Sequence, residues 1–143
     1  MIRVVRLGTP RHPAEGLRLG TVRRPPRGVK KKDYASRDFY DLWLPELAPS
    51  PKLFSWIKSR PLTAANWRTY SRRYVAEMRQ PGARRLIELL TALSSQTNIS
   101  VGCYCEDESR CHRSLLRDLL AEAGAEIIMT SGAGRLSKTG RVG

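Results

Sequence analysis

The chain of 143 residues has little cysteine, with only three, Cys103, Cys105 and Cys111, all within nine residues. An odd, clustered set is not a disulfide framework. It points to metal, redox or nucleophile chemistry in a reducing compartment, or to small buried hydrophobes. Long apolar runs are also missing. Nothing approaches the roughly 20 residues that span a bilayer. The start, Met1 to Leu7, is too short and too interrupted by arginine for a secretory signal. These absences predict a soluble, cytosolic protein with no membrane partner. Internal repeats are absent as well.

Acid is scarce: 13 Asp and Glu stand against 26 Lys and Arg, a formal charge of +13. The excess is uneven. Residues 1–37 hold eleven basic residues against Glu15 and Asp33, residues 38–130 hold twelve against eleven acids, and residues 131–143 hold three and no acid. A nearly neutral body with a basic front and tail suits contact with a polyanion, or a solvated surface.

What is present reads as one α/β domain over 1–130 with a flexible basic tail over 131–143. Ile2 to Leu7 and Leu17 to Val22 predict strands. Arg23 to Lys32 is a proline-bearing loop with six positive charges. Ser50-Pro51 opens a short helix that Pro61 closes. Trp67, Tyr70, Tyr74 and Met78 fall on one helical stripe, and Leu86 to Leu93 on another. Ile99 to Cys105 predicts a buried strand, Cys111 to Ala123 a helix ended by Gly124, and Glu126 to Thr130 a last strand. Strand, helix and strand from Ile99 to Met129 predict a parallel unit with a right-handed crossover. The expected architecture is a small three-layer α/β domain, mainly parallel, with helices on both faces.

Cys105 and Cys111 then lie where a strand ends and the next helix begins, the usual ligand position in open α/β sheets. Free N–H groups at the helix start favour a thiolate. Arg110 and Arg113 add positive charge, and His112 is a candidate base or ligand. A phosphate loop of the Cys-x5-Arg kind is disfavoured. Cys105 and Arg110 are separated by four residues, without glycine and with three carboxylates. Cys103, Cys105, Cys111 and His112 supply the four ligands that zinc takes, but in no known knuckle spacing, so no metal set is assigned and the cofactor stays open. Thiol chemistry would use Cys105 or Cys111 with His112 as base and Arg113 as anion holder. Anion binding would use Arg23, Arg24, Arg27, Lys30 and Arg110, with a nucleotide or nucleic acid as partner.

The stretch from Cys105 through Cys111-His112-Arg113 to Leu116 resembles the ending of the family catalogued as domain of unknown function 488. There a hydrophobic strand enters an acidic loop and then Cys-His-Arg before a helix. Gly16 to Leu19, Arg24-Pro-Pro-Arg-Gly-Val-Lys30, Trp43 to Ser50 and Trp67 to Tyr74 resemble its YeaO-like branch. The resemblance spans about residues 1 to 128 and implies a compact cytosolic α/β domain. It supplies no reaction. Where the family usually carries an aspartate before its Arg-Pro loop, this chain has Val22 and Arg23.

The two function classes that emerge are an anion-binding module and a thiol-dependent enzyme. A binding module should survive Cys111→Ser and lose affinity in salt or on Arg27→Ala, whereas a thiol enzyme should show an iodoacetamide-reactive cysteine and lose activity on that substitution. Whether the basic loop and the cysteine turn meet in space governs both.

Overall fold

A computed structural model describes residues 1–130 and 136–139. Its elements are β1 (Ile2–Arg6), β2 (Leu17–Gly20), β3 (Leu42–Trp43), α1 (Pro51–Lys58), α2 (Ala64–Met78), α3 (Pro81–Ser94), β4 (Ile99–Cys103), α4 (His112–Glu122), β5 (Ile127–Thr130) and β6 (Leu136–Thr139). They form one sheet in the order β3-β2-β4-β1-β5-β6. Every pairing is parallel except that of β5 with β6. The α/β class and the mainly parallel sheet expected from sequence are present. Of the expected tail, residues 131–135 and 140–143 lie outside the described residues, and Leu136–Thr139 pairs with β5.

β4 and β5 are not neighbours: β1 lies between them, in register with Ile99 on one side and Ile127 on the other. The crossover through α4 therefore spans β1, and the chain's first strand becomes a central one. Such a strand is buried on both faces, and Ile2, Arg3, Val4 and Val5 are all buried.

The two faces are covered differently. Ile2, Val4, Leu19, Ile99, Val101 and Ile127 meet side chains from all four α-helices in a single core. The opposite face carries Arg3, Val5, Arg18 and Ser100, and no α-helix covers it among the described residues. Residues 8–16 and 30–41 cover it, with one 3-10 turn at Lys31–Asp33. The second layer of helix expected from sequence is thus a short turn and loops.

Local signals explain the helices. Ser50 accepts from the Leu53 N–H and Pro51 opens α1. Glu77 of α2 bonds the Ser50 N–H at 2.8 Å and its hydroxyl, tying the two helices. Thr63 caps α2 by accepting from Asn66. Tyr70, Tyr74 and Met78, four apart, are the buried stripe, and the Tyr74 hydroxyl donates to Leu47 O at 2.8 Å. Leu116 and Leu120 fix α4 in the core. Truncating either to alanine would cost about 2–5 kcal/mol.

The loop-covered face depends on charge. Arg18 on β2 is fully buried and pairs with Glu15, with Nη2 at 2.9 Å from Oε2. Its Nη1 donates to Thr9 O at 2.8 Å and Asp38 O at 2.7 Å. Gly16, at φ 72°, sits where a Cβ would lie 1.9 Å from Asn98 O, so only glycine lets this turn pass the end of β4.

Burial acts to raise the Glu15 pKa, but Arg18 and the His12 N–H outweigh it, and the net shift is downward. A carboxyl held low stabilises the fold above its unfolded value and loses that contribution as pH falls through its folded one. We expect Glu15→Gln to lower the urea midpoint at pH 7 and to flatten the loss of stability below about pH 4.5. Arg18→Met should be worse, by about 3–5 kcal/mol, because it strands a buried carboxylate. Urea titrations from pH 3 to pH 7 check both.

Candidate functional site

β4 ends at Cys103 and α4 begins at His112, with Cys111 as the residue before it in extended conformation, φ −125° and ψ 146°. The intervening turn is held from both sides. Arg6 Nε donates to Tyr104 O at 3.2 Å, and Tyr104 Oη donates to Arg24 O at 2.9 Å. That second bond ties the cysteine turn to the basic loop. Arg23 holds the loop to the segment before α1 by donating to Pro49 O at 2.9 Å and Pro45 O at 2.8 Å. Trp43 Nε1 donates to Val22 O at 2.7 Å.

Cys103 and Cys111 are buried and Cys105 is exposed; none is in a disulfide. The Cys103 Sγ, Cys111 Sγ and a ring nitrogen of His112 all lie within 4.8 Å of one another, a set that could hold a metal ion. His112 is buried, with Nε2 against Thr21 O at 2.5 Å and Nδ1 3.8 Å from Cys111 Sγ. A carbonyl only accepts, so Nε2 carries the proton and Nδ1 turns its lone pair to the sulfurs. Burial lowers the His112 pKa, favouring this neutral form.

Cys103 first and then Cys111 hold the Cys105 thiol well below its ordinary range, and His112 and Arg113 act in the same direction. Cys103 is pushed up to about 12, first by Cys105, and Cys111 is pushed upward by both other thiols and by burial. The cluster therefore concentrates its negative charge on Cys105, the sulfur facing solvent.

Cys103, Cys105, Cys111 and His112 form one wall of a cleft of about 1520 Å³. Arg23, Arg24, Arg27 and Arg110 line the same cleft, so the basic loop and the cysteine turn meet. Among the nine residues expected from sequence, two stand apart. Lys30 is not among the lining residues. Arg113 is buried and donates from Nη1 to Val5 O at 3.2 Å and Cys103 O at 3.5 Å. It braces the ends of β1 and β4 rather than facing the cleft. The expected repulsion from the turn's acids is also reduced. Glu106 pairs with Arg6 at 3.3 Å, and Asp107 accepts from the Ser109 N–H and hydroxyl.

Sequence reasoning missed Lys58 and Arg60, which reach the cleft from the end of α1. Lysine and arginine around a helix C-terminus read as ordinary dipole partners, and nothing local marks them as facing Cys105. Trp67 and Tyr70 lie on the helical stripe expected from sequence, and that stripe packs in the core. Tyr70 is buried, yet both line the cleft, stacked at 5.4 Å, and Tyr70 stacks in turn on Tyr74, whose ring lies 5.6 Å from that of His112.

A family model described as the active DUF488-N3 subclade matches residues 2–124. The chain belongs to the DUF488 family. The match covers both strands flanking the basic loop, the whole cysteine turn and α4. No curated protein and no solved structure matches significantly. Among the described residues, no helix is long and apolar enough to cross a membrane.

In reduced, metal-stripped protein, iodoacetamide should modify Cys105 first, with a pH midpoint below the free-thiol value of about 8.5. Cys103 and Cys111 should label only on unfolding. Peptide mass spectrometry across a pH series reads both results, and equal labelling of all three would contradict the burial described above.

Proposed function

We propose that the cleft binds an anionic ligand bearing a planar ring, that is, a nucleotide, free or within a nucleic acid strand. The observation that carries this reading is the lining itself. Arg23, Arg24, Arg27, Lys58, Arg60 and Arg110 face one cleft, and no carboxylate is among its described lining residues. Cations gathered on one cleft repel one another, and an anion relieves that cost.

The cations are not equivalent. Arg23 is occupied by two carbonyls and shapes the loop. Arg24 and Lys58 lie over the Phe54 ring at 5.6 and 5.4 Å, and Arg60 over Trp56 at 4.6 Å. These rings orient the cations while leaving N–H groups for phosphate oxygens. Arg27 is exposed and has the reach to close on a bound phosphate. Phe54, Trp67 and Tyr104 offer ring surface on which a base would stack. The cleft exceeds the roughly 300–1,000 Å³ of ordinary small-molecule pockets, which leaves room for more than one nucleotide unit.

Thiol-dependent chemistry is the second reading, favoured by Cys105 being the exposed cysteine on the cleft wall. The base would not be simply placed, because the free nitrogen of His112 faces buried Cys111. Under this reading Cys105→Ser abolishes a reaction while leaving ligand affinity intact.

Fluorescence anisotropy with a labelled nucleoside triphosphate and a labelled short single-stranded oligonucleotide tests the binding reading and separates free from polymeric ligand. Affinity should fall log-linearly with salt. Arg27→Ala and Arg60→Ala should each weaken binding about tenfold, the size of one lost charge-assisted hydrogen bond. Absence of binding by either probe at low salt would refute the proposal.

A further inference from the structure

We propose that Cys103, Cys111 and His112 hold a divalent metal ion of the zinc type, with Cys105 as the fourth ligand closing the site from the cleft. This site is argued from the donor atoms alone and does not depend on the ligand reading above.

Geometry is the first argument. In a tetrahedral zinc site, with metal–sulfur distances of about 2.3 Å and metal–nitrogen distances of about 2.0–2.1 Å, neighbouring ligand atoms lie about 3.5–3.8 Å apart. The Cys111 Sγ to His112 Nδ1 distance is 3.8 Å, and Cys103 Sγ completes a triangle with no side above 4.8 Å. Cys105, two residues beyond Cys103, is the exposed cysteine and lines the cleft beside these three donors. Three buried donors and an exposed one beside them supply the four ligands of a tetrahedral shell.

The second argument is the state of His112. A histidine that ligates through Nδ1 needs that nitrogen unprotonated and its ring fixed, and a backbone carbonyl at Nε2 provides both. Thr21 O supplies that contact. Thr21 is in turn held to β4, with its N–H and hydroxyl each donating to Gly102 O at 3.0 Å. The imidazole is therefore set by the sheet and not by the cysteines it faces.

Thirdly, the backbone around the donors is rigid. Arg113 braces the Cys103 and Val5 carbonyls, while the Ser114 N–H donates to Cys111 O at 3.0 Å and its hydroxyl at 2.8 Å. Pre-set donors on a strand end and a helix start lose little entropy on binding. Binding forms metal–sulfur and metal–nitrogen bonds and releases the remaining thiol protons to solvent. No electron is transferred. Three thiolates and one divalent cation leave a net charge of −1, which the adjoining Arg113 offsets.

Cobalt(II) titration of the full chain, reduced and stripped with chelator, tests the site. One equivalent should bind, giving the intense visible bands of tetrahedral cobalt and a near-ultraviolet thiolate charge-transfer band, both erased by added zinc. Cys105→Ser changes an exposed residue, so folding should be retained. Its charge-transfer intensity should drop by about one third as three thiolates become two. Cys111→Ser, checked for native circular dichroism, should lose the tetrahedral spectrum. Weak octahedral bands, no uptake, or an unchanged charge-transfer band in Cys105→Ser would each overturn the proposal. Nucleotide anisotropy run in chelator reports on the cleft separately, so that reading and this one fail independently.

Discussion

The Arg18 guanidinium is the interaction on which the rest of this structure depends. One sheet face has four helices to cover it, and the other, among the described residues, has loops and one 3-10 turn. Loops bury little apolar area, so that face is held by polar contacts with a buried charge at their centre. Arg18 pairs with Glu15 and gathers the carbonyls of Thr9 and Asp38. Asp41 accepts the Arg18 N–H at 2.8 Å and also pairs with Arg11. A charge satisfied by a carboxylate and two carbonyls escapes most of the penalty of isolated burial. It also fixes both covering segments to β2, and β2 leads to Thr21, whose carbonyl orients His112. The candidate site is therefore positioned from the face opposite the helices.

Much of the framework was legible in the sequence because its signals are local. Ser50-Pro51 marked the start of α1, and the stripe Tyr70, Tyr74, Met78 named a buried face. The cysteine turn could be placed because a strand running into a helix leaves its junction open at the sheet's carboxyl edge. What was not legible depends on contacts distant in sequence. β1 lies between β4 and β5, which no periodicity reports. The loop-covered face differs from the expected helix layer because residues 30–41 offer too short an apolar pattern for a helix and use Tyr34, Phe39 and Tyr40 as packing instead.

Arginine was the hardest residue to read. From sequence, Arg18, Arg113 and Arg27 are equivalent units of a large positive charge. In the structure Arg18 and Arg113 are internal braces that hold carbonyls, while Arg27 is exposed on a cleft wall. Nothing in composition separates these roles, since the guanidinium's planar set of donors suits backbone carbonyls and phosphate oxygens equally well. The net charge therefore overstates the surface field. The useful quantity is the local set of cations with no carboxylate among the described lining residues of the same cleft, and three of its members, Lys58, Arg60 and Arg110, lie outside the basic loop.

The acidic turn shows the same dependence on direction. Glu106 and Asp107 sit beside Cys105 in sequence and would discourage an anion there if they faced it. Glu106 instead pairs across to Arg6, and Asp107 folds onto Ser109. Each carboxylate is thus engaged by a partner of its own. The cleft thus has cations on its rim and sulfur at its base, and the two demands are compatible. A soft donor set at the base can hold a metal or present a thiolate, while the rim gathers phosphate. Coordination of Cys105 would remove the exposed thiolate from chemistry while leaving the rim unchanged, so the occupancy of the sulfur cluster decides whether the cleft acts as a binding surface alone or as a reactive one.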